Sequence, residues 1–177
     1  MRSWQPACSF RHAESTRTGR VRPYPSGVVC DSTRPFARSA GERRLVTVFF
    51  DATAVVALHV DTRERQVALK ALDGDTCVSA LSLTEALAVI AKLTDEPILQ
   101  ADIEDALRLQ WDRYGVVPVD QRCLDRAAAL LREQPLRLAD ALQLAAAERL
   151  PHPIRYVTFD PIQIPVALGL GFDVVSR

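Results

Sequence analysis

The sequence has no run approaching the roughly 18 consecutive apolar residues of a membrane-spanning helix, which argues against an integral membrane protein. It also lacks the roughly 7–15-residue apolar stretch of a secretory signal. Aromatic residues are sparse at 6%, and three histidines and four cysteines include no pair at metal-ligand spacing, so a structural zinc site is excluded. Cys77 and Cys123 fall within an expected strand and an expected helix, which suits reduced thiols in a cytoplasmic protein better than a disulfide framework. Neither sign of charge is in excess, with 22 basic and 22 acidic residues. Taken alone, that balance argues against a dedicated nucleic-acid surface.

The balance is the sum of two unlike parts. Residues 1–45 hold nine arginines against three acids, a net charge of +6, together with Pro6, Pro23, Pro25 and Pro35 and many Ser and Thr residues. Nothing there can supply a core, so a disordered basic extension is expected, either a flexible arm or the product of a start site placed too early. The prolines and glycines break any amphipathic face that a transit peptide would need. Residues 46–177, the expected folded domain, carry −6.

From Val46 onward, short β-branched or aromatic runs alternate with longer helical periodicity, the pattern of βα units around a parallel sheet. Strands are expected at Val46–Phe50, Thr76–Ala80, Val116–Val119, Arg155–Phe159 and Phe172–Val175. Helices are expected at Ala52–Val60, Glu64–Leu72, Ser82–Leu93, Ile98–Tyr114, Asp120–Glu133, Leu138–Leu150 and Pro161–Leu168, with a turn at Asp73-Gly74-Asp75.

Ligand sites in open parallel sheets lie at the carboxyl ends of the strands, and Asp51 and Asp160 both fall at such ends. Each also has a simpler explanation as a helix N-cap, strengthened for Asp160 by the proline after it. Glu85 fits a capping box with Ser82. Asp140 has no such explanation, because it interrupts the apolar run Leu136-Arg137-Leu138-Ala139-Asp140-Ala141-Leu142 at what reads as a mid-helix position, where an ionised carboxylate is costly unless paired or metal-bound. Arg137, three residues earlier, could be an ion-pair partner. As a set, the four acids suggest a pocket whose mutual repulsion divalent cations would relieve. Oxygen-only ligands favour Mg²⁺ or Mn²⁺, and metal-assisted phosphodiester hydrolysis is the chemistry such a site supports.

Four segments, Phe50-Asp51-Ala52-Thr53-Ala54-Val55-Val56-Ala57-Leu58, Ser79-Ala80-Leu81-Ser82-Leu83-Thr84-Glu85, Leu138-Ala139-Asp140-Ala141-Leu142-Gln143-Leu144-Ala145 and Val157-Thr158-Phe159-Asp160, together resemble the PIN-domain ribonucleases of the VapC toxin family, in the family's order and spacing. The resemblance implies a three-layer α/β/α fold with a central parallel sheet and a Mg²⁺-dependent endoribonuclease activity. Asp51, Glu85, Asp140 and Asp160 would form the catalytic and metal-binding quartet, with Asp51 and Asp140 as the principal ligands and Thr53 and Thr158 as supporting hydroxyls. It further implies a homodimer, an RNA substrate and a cognate VapB-type antitoxin that blocks the acidic pocket.

Three features depart from the family pattern. Gln143 stands where many members have His, Pro161-Ile162-Gln163 lacks the basic residues common after the fourth acid, and residues 1–45 match nothing in the family. Scattered bases such as Lys92, Arg108 and Arg113 are candidates for RNA contacts or plain solvated charges. Two other readings stay open. A catalytically silent PIN-like interaction module would lack an acid, and all four are present. A haloacid-dehalogenase-like phosphatase would need a second aspartate where Thr53 stands.

Overall fold

The computed structural model describes residues 46–72 and 75–176. The expected extension over residues 1–45, and Asp73 and Gly74 of the expected turn, lie outside the described residues. Five strands, β1 (Thr47–Phe50), β2 (Thr76–Ser79), β3 (Gly115–Val117), β4 (Ile154–Val157) and β5 (Asp173–Val175), form one sheet in the order β3-β2-β1-β4-β5. Every pairing is parallel. Seven helices connect them: α1 (Ala52–His59), α2 (Arg65–Ala71), α3 (Ala80–Leu93), α4 (Pro97–Trp111), α5 (Gln121–Glu133), α6 (Leu138–Ala147) and α7 (Gln163–Gly169). The expected α/β/α architecture is therefore present, with each strand one residue shorter than the run expected for it.

Side-chain alternation in β1 explains the layering. Val48 and Phe50 pack with Ala54, Val55, Ala86, Ile90 and Leu107 on the α1–α4 side, while Phe49 faces Leu130, Leu144 and Ala145 of α5 and α6 on the other. A strand buried on both faces reads as a continuous apolar run, as this one does. On the α5–α7 side, Tyr156 lies between Phe49 and Phe172, its ring 5.4 and 5.6 Å from theirs and nearly parallel to both. Helix α6 contributes Ala141, Ala145, Ala146 and Ala147 to this layer, small side chains that bring the helix close to the sheet. None of the helices is long and apolar enough to cross a membrane, among the described residues.

The starts of α3 and α7 lie two residues from those expected, while α6 starts where expected; in all three a candidate residue takes a different role. Helix α3 begins at Ala80, with Ser79 as N-cap, its hydroxyl accepting from Leu81 N at 3.2 Å. Ser82 is therefore inside the first turn and fully buried, and the Ser82–Glu85 capping box does not exist. Helix α6 begins at Leu138, so Asp140 is its third residue and not a mid-helix one; its Oδ2 accepts from Arg137 N at 3.2 Å, a capping role the sequence reading denied it. Helix α7 begins at Gln163, after a turn at Pro161 and Ile162, so Asp160 caps that turn through Ile162 N at 2.9 Å instead of serving as the helix N-cap.

Candidate active site

Strand order reverses at β1: the chain goes from β1 to β2 on one side, while β4 and β5 lie on the other. The carboxyl ends of β1 and β4 are neighbours, tied by Asp51 N donating to Val157 O at 3.1 Å, and the crevice beyond them is the topological switch point where open α/β sheets bind ligands. All four acids named above come from segments around this point: Asp51 ends β1, Asp160 follows β4, Asp140 opens α6 and Glu85 lies in the second turn of α3.

Asp51 is fully buried and is the N-cap of α1. Its Oδ1 accepts from Ala54 N at 2.8 Å and from the Thr53 hydroxyl at 2.7 Å, and its Oδ2 accepts from the Thr158 hydroxyl at 2.8 Å. Both hydroxyls are themselves fixed, Thr53 Oγ1 accepting from Phe159 N at 2.9 Å and Thr158 Oγ1 from Asp160 N at 3.1 Å. The two threonines thus lock the loop after β4 onto the carboxylate that ends β1. Among the described residues no basic side chain pairs with Asp51. Burial pushes its carboxyl up to about 6 against the opposing pull of these three donors, and the charge of Asp160 pushes the same way.

Asp140 is 3% exposed and receives four hydrogen bonds. Arg137 donates Nε to Oδ2 at 2.7 Å and a terminal nitrogen to Oδ1 at 3.1 Å, a two-pronged pair; Gln163 Nε2 donates to Oδ1 at 3.0 Å, and the fourth bond is the Arg137 backbone amide already described. The same guanidinium reaches Asp160 Oδ2, so Arg137 bridges two of the four acids. Glu85, half-buried, accepts from Gln143 Nε2 at 2.5 Å. Burial raises its carboxyl, as does the charge of Asp140, while the Gln143 amide and Arg137 oppose the rise. All four carboxylates act on one buried side chain, Tyr156, whose phenol burial and those four charges push well above its usual value.

Among the described residues no three His, Cys, Asp or Glu side chains converge closely enough to hold a metal ion. At Asp140 and Asp160 the Arg137 guanidinium pairs with both carboxylates and balances their charge. The chemistry of the donor set nevertheless fits a divalent cation: hard carboxylate oxygens, Asp51 buried without a counter-ion, and one exposed arginine standing in for positive charge. Replacing Arg137 by Met is expected to lower the melting temperature of metal-free protein by several degrees, roughly 1–2 kcal/mol. The partner left behind, Asp140, is buried, but the guanidinium itself is 64% exposed and water screens much of its charge. Differential scanning fluorimetry in EDTA measures this, and Arg137→Lys, without the planar fork, should recover only part of the loss.

Tyr156 and Gln163 escaped the sequence reading. Their signal was present: Gln163 is the one polar side chain in Ile162-Gln163-Ile164-Pro165-Val166-Ala167-Leu168, and it is 3% exposed. Of the scattered bases, Arg108 pairs with Glu104 at 3.1 Å and Asp105 at 3.5 Å on α4, an ordinary helix-surface arrangement. Lys92 and Arg113 are exposed.

Residues 48–167 match the sequence profile of the PIN domain, more than half of the chain. The chain belongs to the PIN domain family. A sequence comparison with curated proteins finds no match. Solved structures share the PIN fold at low identity. A toxin–antitoxin complex from Klebsiella pneumoniae is 23% identical, with a TM-score of 0.56 over 73% of this chain and 96% of that one. VapC20 of Mycobacterium tuberculosis, described as a sarcin–ricin-loop-cleaving toxin, is 19% identical with a TM-score of 0.55, covering 68% and 95%. FitAcB of Neisseria gonorrhoeae is 17% identical with a TM-score of 0.54, covering 73% and 96%. The family profile begins at Val48, so the first 45 residues lie outside it.

Proposed function

We propose that this PIN protein is a Mg²⁺- or Mn²⁺-dependent endoribonuclease, the toxin of a toxin–antitoxin pair, acting in the cytoplasm. The observation that carries the reading is Asp51: a fully buried carboxylate at the switch point of a PIN sheet, held by two threonine hydroxyls and a helix N-terminus but by no base. Such a group lacks its counter-charge, and a divalent cation supplies it. Asp51 and Asp140 would be the principal ligands, with Glu85 and Asp160 completing the acidic set, and Thr53 and Thr158 would hold Asp51 in orientation.

A divalent cation held there by Asp51 and Asp140, with Glu85 and Asp160, would supply Lewis-acid chemistry for phosphodiester hydrolysis by water. The protein's own contribution is geometric. The threonines fix Asp51 to within the reach of two hydrogen bonds per oxygen pair, α6 delivers Asp140 on its first turn, and Arg137 balances the acids when no metal is present. The same reading gives the protein an RNA substrate, a homodimeric state and a VapB-type antitoxin covering the acidic crevice. Its structural neighbours support the partner, because several were solved as toxin–antitoxin complexes. The domain's negative charge is no obstacle to an RNA substrate, because the ions it binds bring positive charge of their own.

The test is cleavage of labelled RNA by purified full-length protein with 5–10 mM Mg²⁺ or Mn²⁺. Cleavage is expected, with complete loss in excess EDTA and recovery on adding Mn²⁺ back. Activity that survives EDTA would reject the metal-dependent reading.

A further inference from the structure

Two buried glutamines reach the acidic site in the same chemical arrangement. Gln143, on α6, is 1% exposed; its Oε1 accepts from the Ser82 hydroxyl at 3.0 Å, and its Nε2 donates to Glu85 Oε2 at 2.5 Å. Gln163, at the start of α7, is 3% exposed; its Oε1 accepts from the Tyr156 phenol at 2.5 Å, and its Nε2 donates to Asp140 Oδ1 at 3.0 Å. In each case a buried hydroxyl fixes the orientation of the amide. An amide whose oxygen is already taken by a donor can present only its NH₂ to the carboxylate, so the flip that would turn an acceptor toward the acid is suppressed.

We infer that Gln143 and Gln163 are positioning residues for the metal-binding carboxylates Glu85 and Asp140, each set by its hydroxyl partner, Ser82 and Tyr156. The inference rests on the metal-dependent reading above. Its physical sense lies in charge. An arginine or lysine would orient a carboxylate equally well while cancelling the charge a cation needs, whereas a primary amide holds one oxygen and leaves the full negative charge in place. Arg137 is the contrast at the same site. It is 64% exposed and charged, while the glutamines are enclosed and neutral. Tyr156 is anchored in turn by the aromatic stack with Phe49 and Phe172, so Asp140 is referred through Gln163 to the rigid middle of the sheet.

Mn²⁺ binding to the full-length protein, followed by loss of the free-ion electron paramagnetic resonance signal, tests this. Gln163→Leu alone would strand the Tyr156 hydroxyl in the core, so the informative variant is Tyr156→Phe/Gln163→Leu, which removes both ends of the buried bond and leaves no orphan. It is expected to melt close to wild type yet bind Mn²⁺ about 10–100-fold more weakly, the usual cost of losing a partner of a ligand. Ser82→Ala/Gln143→Leu asks the same of Glu85, and Tyr156→Phe alone, the mildest change, should weaken binding about threefold. Wild-type affinity, within twofold, in folded variants of both pairs would overturn the inference. If instead the wild type binds no Mn²⁺, or Asp51→Asn binds it as tightly as wild type, the metal-site reading itself fails and the glutamine inference falls with it.

Discussion

Asp51→Asn is expected to raise the melting temperature of metal-free protein at pH 7.5 by up to about 10 °C while abolishing Mg²⁺-dependent cleavage. The stability gain follows from burial. The Asp51 carboxyl is pushed up to about 6 from an ordinary value of 3.8, so the folded state holds its proton more tightly than the unfolded chain does. A group raised in this way contributes stability that is complete below its unfolded pKa and is lost as pH rises through about 6. About two pH units of separation amount to about 3 kcal/mol, undiscounted because the group is fully buried. Asparagine removes the ionisation and keeps the shape: its oxygen can accept from Ala54 N and Thr53, and its NH₂ can donate to Thr158 Oγ1, which has a second lone pair beside the one taken by Asp160 N. The gap between variant and wild type should therefore close as pH falls from 7 toward 4. Glu85 is raised by burial too, but it is common to both proteins and drops out of the difference. Thermal melts in EDTA between pH 4 and 8 check this. A variant no more stable than wild type at pH 7.5, or a gap independent of pH, would refute the account.

The same melts repeated with Mg²⁺ add a second reading. A cation that neutralises Asp51 offsets the burial cost, so the wild type should gain stability with metal by mass action and the variant should gain little. The two proteins are expected to converge or cross as Mg²⁺ is added.

The sheet and its flanking helices were legible because their signals are local and redundant. Val46–Phe50 is an unbroken β-branched and aromatic run, and Asp51 after it marks both a strand end and a helix start; the structure moves the strand boundary by one residue and keeps the cap. What local signals could not decide was which of two equivalent residues performs a role. Ser82 reads as the cap of α3, but Ser79 takes that role and the Ser82 hydroxyl donates to Gln143, 61 residues away. Asp140 is misread although the helix start at Leu138 is expected: the N-cap there is Arg137, a residue without capping preference, so nothing local marks the third residue as the partner of its backbone amide. The Arg137–Asp140 pair was visible as a spacing of three, but its reach to Asp160 and the Tyr156–Gln163 link depend on β4 lying beside β1, which periodicity does not reveal.

Asp140→Asn is expected to reduce RNA cleavage by at least about 10³-fold, about 4 kcal/mol of transition-state stabilisation, and unlike Asp51→Asn to destabilise the fold. The difference lies in who the neighbours are. Asp51 is surrounded by one amide and two hydroxyls, and a hydroxyl can reverse its role. Asp140 has donors on both oxygens: Arg137 Nε and N on Oδ2, Gln163 Nε2 and the other Arg137 nitrogen on Oδ1. None of these can accept, so whichever way the new amide turns, its NH₂ faces an N–H donor, at a cost of about 1–3 kcal/mol. The charge that holds Arg137 is lost at the same time, and the bridge to Asp160 loses its better-buried end. Asp140→Asn should thus melt several degrees below wild type in EDTA at pH 7.5, where Asp51→Asn melts above it, although neither cleaves RNA. In cells, expressing the full chain without an antitoxin should arrest growth and Asp140→Asn should relieve the arrest. Because Asp51→Asn is inactive yet more stable, it separates the two explanations of such relief: if it relieves the arrest equally while accumulating to at least wild-type levels, lost chemistry and not lost protein is the cause, and persistent arrest by either variant would remove the acids from the toxic mechanism.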